Sequence, residues 1–206
     1  MNIQPIVEGY GDVAAVPVLL RRLRDEARVY QVEVNRPIRR NRSELVQEGP
    51  LRKSVQLALL QPDCGAILIL FDGDDDCPRE LAPTIQTWAS QESHEVPCEV
   101  VIARREYEAW FLAAADSLRG RRGLRDDAAF PEDPEGPRDA KGRLEGLMRP
   151  GWSYSETADQ APLTAEFDMV AAYARSRSFR RMTSAFGGLL SRLGVPPRQW
   201  PPPNWT

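Results

Sequence analysis

Two apolar runs in this chain end in carboxylates. Glu8 closes the first, in IVEGYGD, and Asp72 closes the second, in LILFDGDDD, where Asp74, Asp75 and Asp76 follow. In the D-x-D arrangement of Asp72 and Asp74 one tight turn holds two carboxylates, and Gly73 lets the backbone bend. Clustered carboxylates repel unless a cation sits among them. Hard oxygen ligands without His or Cys select Mg²⁺ or Mn²⁺. Such an ion polarises a phosphoryl oxygen and orients an attacking water or hydroxyl. Glu8 is then a general base, a general acid or a further ligand. Each piece also has a plain structural explanation. A run of Asp after a strand is the pattern of a solvated capping loop, and Glu8 can serve as a cap or an ion-pair partner. The conjunction of strand, Glu-Gly, helix, then strand and D-x-D is what favours a site.

Other residues could complete it. In REYEAWFLA, Glu106 and Glu108 open an expected helix, and Glu108, or Glu106 in its place, could reach a metal at the same sheet edge. Acidic residues at that position equally favour a helix dipole. Asp76 and Glu108 are the candidates for holding a second ion. Lys141 is one of two lysines beside 25 arginines. A lysine offers a compact charge for a phosphate or a leaving oxygen, and it is also ordinary on a solvated helix. Glu156 and Asp159 are read as helix caps or as holders of a second metal. His94, the one histidine, reads as a surface-loop residue. Trp88, Trp110 and Trp152 read as packing residues.

The elements that must position these groups alternate. Strands are expected at Ile3 to Val7, Val29 to Val34, Gly65 to Phe71 and Val96 to Ala103. Between them a stripe at Val13, Val16, Leu20, Leu23 and Ala27 marks a helix with Asp12 as N-cap and Pro17 as an awkward interior residue. Leu51 to Leu60 and Arg79 to Gln91 are two more helices. This alternation predicts an α/β fold with a mostly parallel sheet, and ligands bind beyond the carboxyl ends of such strands. Past Arg104 only helices are expected: Glu106 to Leu118, Ala140 to Met148, Leu163 to Arg175 and Ser178 to Leu193. Residues 119–139 are charged and rich in Gly and Pro, the composition of a surface loop or mobile insertion. The tail PPRQWPPPNWT (196–206) should pack extended through its tryptophans. Residues 1–105 thus read as an α/β core and 106–206 as a helical extension packed on it.

The 206 residues, 42% hydrophobic and 28% charged, have the composition of a soluble globular protein. No apolar run approaches the ~20 residues of a membrane span, and the first residues lack the marks of a secretory signal. A cytoplasmic protein is expected. Cys64, Cys77 and Cys98 have no C-x-x-C spacing, which argues against a disulfide framework or a zinc knuckle. There is no Walker lysine loop and no G-x-G-x-x-G, so ATP hydrolysis by this chain itself is not expected. With a net charge of −3, nucleic-acid binding would need local basic patches. Arg36, Arg39, Arg40 and Arg42 crowd one loop, Arg119, Arg121, Arg122 and Arg125 another, and Arg175, Arg177, Arg180 and Arg181 the last helix start. Basic loops around an acidic metal site suit a phosphodiester substrate, although runs of charge are also simply solvated faces.

IVEGYGD followed by LILFDGDDD resembles the TOPRIM domain of primases, topoisomerases and overcoming-lysogenisation-defect nucleases. The longer pattern is more similar to a TOPRIM-like bacterial family of unknown function. The shared segments are Glu8-Gly9, Asp72 and Asp74, REYEAWFLA, the helix of Lys141, YSETADQ (154–160) and SRSFRRM (176–182). The resemblance implies a Mg²⁺- or Mn²⁺-dependent nuclease-like protein acting on DNA or RNA, with Glu8, Asp72, Asp74 and Lys141 catalytic. It implies Glu8, Asp72 and Asp74 as metal ligands, and Asp76 and Glu108, read from their place in the sequence, complete the candidate set. It also implies an ATPase partner and a role in defence against phage or plasmids. Arg177 and Arg180, in the family-like segment, are the first candidates for phosphate contact, with Arg39 and Arg40 beside them. A non-catalytic regulatory or scaffold subunit of an ATPase complex and an enzyme acting on free nucleotides are the alternatives.

Overall fold

The computed structural model describes residues 1–136 and 138–205. Five strands form one parallel sheet: β1 (Asn2–Val7), β2 (Glu33–Val34), β3 (Ile38–Arg39), β4 (Cys64–Asp72) and β5 (Cys98–Ala103). Their order is β2-β1-β4-β5, and β3 pairs with β1 beyond β2. The expected α/β, Rossmann-like architecture with a helical carboxyl-terminal part is what the chain adopts. The two strands that end in acid are direct neighbours. Val7 lies opposite Leu70, so Glu8 and Asp72 emerge at the same edge.

The period of two along each strand sorts side chains between two cores. Leu68 and Leu70 of β4 and Val101 and Ala103 of β5 face one cluster, while Ile67, Ile69, Phe71, Val100 and Ile102 face the other. Helices α3 (Glu48–Leu59) and α4 (Pro78–Ser93) cover the second face. The first face carries α1 (Tyr10–Ala27) and the helices that follow β5. Those are α5 (Glu108–Ala113), α6 (Ala140–Gly146), α7 (Glu156–Glu166), α8 (Met169–Arg175) and α9 (Arg177–Arg192). Phe167, Phe179, Met182 and Phe186 share one core with Ile3, Val16 and Leu20, so strand and carboxyl-terminal helices are buried together. Trp110 is the hub: its ring lies against Tyr107 and Phe179, and its indole N–H donates to Ser178 Oγ at 2.8 Å.

Several local expectations are corrected. The second strand shrinks to two residues, and the loop around 35–50 holds β3 and the short helix α2 (Arg42–Leu45). Gly9, not Asp12, is the N-cap of α1; Asp12 sits at the third helical position and its carboxylate accepts from Gly9 N at 2.8 Å. Pro17 lies inside the helix. The helix expected from Leu163 to Arg175 is two, because Asp168 caps α8 by accepting from Val170 N and Ala171 N. Past α5 the chain tightens into a 3-10 turn at Ala115–Leu118. Segment 119–139 is anchored through its described residues: Leu124 and Ala128 are buried, and Leu124 bridges to Met148. Pro137 of that segment lies outside the described residues. The tail closes in a 3-10 turn at Pro203–Trp205, with Trp205 buried beside Trp200. Trp152, expected to pack, is 60% exposed.

Candidate functional site

Three neighbouring parallel strands deliver one carboxylate each to their shared carboxyl edge. Glu8 follows β1, Asp72 ends β4, and Glu108 opens α5 just beyond β5. The Asp72 carboxylate accepts from Tyr107 N at 2.9 Å, which fixes the chain leading into Glu108. Asp72 N donates to Glu8 Oε2 at 3.3 Å, joining the other two. Around them lies a cavity of about 240 Å³ walled by Glu8, Asp12, Asp72, Glu108, Lys141 and Glu156, with Arg39 and Arg42 at its rim.

The helices beyond the sheet complete this wall. Glu106 accepts from Lys141 N at 2.9 Å and so anchors α6, which carries Lys141. Lys141 forms an ion pair with Glu156 at the first turn of α7. Asp12 binds α7 through Gln160, whose amide donates to Asp12 Oδ1 at 2.8 Å. Gly11 permits this approach, since a Cβ there would stand 2.8 Å from the Glu156 carbonyl oxygen. Tyr154 donates to Glu108 Oε1 at 2.7 Å. The second oxygen, Glu108 Oε2, is buried with no hydrogen-bond partner among the described residues.

Crowded carboxylates out of water hold their protons more tightly. Burial raises Glu8, reinforced by Asp74 and Asp12 and opposed by the Asp72 N–H and Arg42. Burial lifts Asp72 well above the ordinary range, and Asp12, Glu108 and Glu8 add to it while Lys141 opposes. Glu108 is pushed up to about 7 by burial, with Lys141 and the Tyr154 hydroxyl restraining the rise. Burial also raises Asp12. Burial works against the charge of Lys141, yet Glu156, Glu108 and Asp72 outweigh it and its pKa rises. The site is a set of strained anions around one tethered cation.

The expected residues divide between places. Glu8, Asp72, Glu108, Lys141 and Arg39 meet on the cavity wall. Asp74 and Asp76 both pair with Arg42, Asp74 at 3.2 Å, and neither lines the cavity, although Asp74 is near enough to raise Glu8. Asp75 pairs with Arg105 and Arg138. The bend expected at Gly73 falls at Asp74, whose φ is +47°. Gly73 is required for another reason, because a Cβ there would stand 2.9 Å from the Ala103 carbonyl oxygen. Arg40 donates to Ser54 and the Arg39 carbonyl, outside the cavity. Arg177 and Arg180 line a different cavity altogether. Asp12, expected only as a cap, joins the cavity wall, and its spacing from Gly9 is the signal in the sequence. Asp159, one of the cap candidates, accepts from Ser155 N at the start of α7 and pairs with Arg122.

All the wall carboxylates present oxygen donors. Among the described residues, however, no three His, Cys, Asp or Glu side chains converge tightly enough to hold a metal ion together as they stand. No helix among these residues is long and apolar enough to cross a membrane. Comparison with curated proteins and with solved structures finds no match. A family model described as a domain of unknown function, DUF4276, matches residues 7–186. The chain belongs to the DUF4276 family.

Proposed function

We propose that this protein is a Mg²⁺- or Mn²⁺-dependent phosphodiesterase acting on DNA or RNA, with a TOPRIM-like carboxylate site. One observation carries the reading: a buried Glu108 oxygen without a partner, set beside Asp72 and Glu8 where three parallel strands end. An unpaired buried carboxylate oxygen is costly, and a hard cation is the chemically matched partner. Glu8, Asp72 and Glu108 would hold the ion after modest side-chain rotation, and the bound ion would polarise the phosphoryl group. Glu8, the least buried of the three, is placed to take a proton from water. Lys141 supplies charge for the leaving oxygen, and Arg39, which has no carboxylate partner among the described residues, receives the phosphate. The resemblance supports an ATPase partner and a defence role, which are proposed on that ground alone.

The test is cleavage of supercoiled plasmid, single-stranded DNA and RNA in Mn²⁺ or Mg²⁺. Cleavage should vanish with chelator and fall at least ~100-fold in Asp72→Asn and Glu8→Gln, consistent with loss of a metal ligand or base. Cleavage that survives both substitutions would overturn the reading. A second reading, a binding or scaffold subunit, has its own support. Lys141 already stands among the carboxylates, paired with Glu156, as a built-in counter-ion. Metal-independent folding and partner binding in Asp72→Asn, with no cleavage in the wild type, would favour it.

A further inference from the structure

A second, larger cavity lies elsewhere. It occupies about 830 Å³ between the outer strand β5, α4 and the start of α9. Its floor is apolar, formed by Pro78, Ala82, Pro83, Val100 and Ile102. Its walls carry six arginines: Arg79, Arg104, Arg175, Arg177, Arg180 and Arg181. Of these only Arg181 has a carboxylate partner among the described residues, Glu99 at 2.6 Å. Arg180 donates to the carbonyls of Tyr173 and Ala174, and Arg175 donates to that of Ala113 and lies over the Phe130 ring. Neutral partners orient a guanidinium without cancelling its charge. Arg79, Arg104 and Arg177 have no side-chain partner at all among the described residues.

Two acids line the cavity beside the six arginines, and both serve as structural acceptors. Glu135, 7% exposed, accepts from Ser176 Oγ, Ser178 Oγ, Arg177 N and Ser178 N. Asp133 accepts from Glu135 N. These bonds tie segment 119–139 to the start of α9 and form one wall of the cavity. In a chain whose net charge is −3, this concave surface carries a clear positive excess. The aspartate loop after β4 links Asp72 of the carboxylate site to Cys77 of this cavity. Asp74 and Asp76 are tied to Arg42, which lines the carboxylate site, and Asp75 to Arg105 and Arg138.

We propose that this cavity binds a phosphate-bearing nucleotide, either free or as a residue of a nucleic-acid strand. The volume falls within the ~300–1,000 Å³ of sites that enclose small ligands. An apolar floor suits a flat base, and unpaired guanidiniums suit phosphate oxygens, which they grip in a bidentate fork. The inference is independent of the hydrolase reading, because no residue of the cavity belongs to the carboxylate wall.

The experiment titrates the full chain, in EDTA and ~50 mM salt, with ATP, with AMP and with a twelve-residue oligothymidylate, following heat or fluorescence anisotropy. Chelation removes metal-bridged binding at the carboxylate site, and the Asp72 variant reports any binding that remains there. Saturable binding is expected, weakened about tenfold or more in Arg104→Ala and in Arg177→Ala, as loss of a charge-assisted contact implies. Asp72→Asn should leave it unchanged. Tighter binding of the oligonucleotide than of AMP or ATP would identify a strand as the source, and the reverse a free nucleotide. Both arginines are at least partly exposed, and circular dichroism verifies the fold of each variant. Absence of binding by all three probes overturns the proposal. So does binding that ignores both arginine substitutions or that disappears in Asp72→Asn.

Discussion

At the residue scale the defining feature is the protonation of the carboxylate wall. Burial raises Glu8, Asp12, Asp72 and Glu108, the last to about 7. A carboxyl whose folded pKa is raised adds stability that is complete below its unfolded value and lost as pH rises through the folded one. For Glu108 that window runs from about 4.5 to about 7. The metal-free protein should therefore melt at lower temperature at pH 8 than at pH 5.5, as scanning calorimetry in EDTA would measure. A divalent ion that binds the carboxylates reverses the trend. At a hundred times its Kd an ion adds about 2.7 kcal/mol, or roughly 5–10 °C for a chain of this size. Glu108→Gln should flatten the pH dependence and remove the response to metal. A melting temperature that rises steadily from pH 5.5 to 8 in EDTA would contradict the assignment of these burdened anions.

At the element scale, strands were more legible than helix boundaries. The run from Gly65 to Phe71 has one pattern only, a strand buried on both faces, and β4 spans Cys64–Asp72. The break between α7 and α8 was hidden because Phe167 continues the apolar spacing, although Asp168 is an ordinary capping residue. The fate of the aspartate run could not be read locally. Its partners, Arg42 and Arg105, are distant in sequence, and which face each Asp takes depends on them. Glu8, Asp72 and Glu108 were legible because the strand ends locate them, whereas Asp12 and Glu156 join the site only through the packing of α1 on α7. Segment 119–139 reads as a surface loop or mobile insertion, and composition does not reveal that Glu135 caps α9. Replacing it removes an acceptor from two hydroxyls and two backbone N–H groups. Bonds to a charged acceptor contribute about 1.5–3 kcal/mol each before relaxation and water replace part of the loss. Glu135→Ala should cost about 2–4 kcal/mol in urea unfolding and increase proteolysis near residue 135. A change below ~0.5 kcal/mol would show that the cap is decorative.

At the scale of the whole molecule, charge is segregated into two concave regions served by one sheet. One gathers carboxylates at the ends of β1, β4 and β5, and the other gathers arginines against the outer strand. The DUF4276 match includes every residue that lines either region. The acidic region determines whether the protein is an enzyme, and its capacity for a cation is the point on which that depends. The most direct measurement is Mn²⁺ uptake, read from the loss of the free-ion electron paramagnetic resonance signal at pH 7.5. It compares the wild type with Asp72→Asn and Glu108→Gln, each verified as folded. Stoichiometric uptake by the wild type, weakened at least ~30-fold in both variants, is the predicted result. Equal uptake by all three, or none by the wild type, would mean that Lys141 is the only cation this pocket was built to hold.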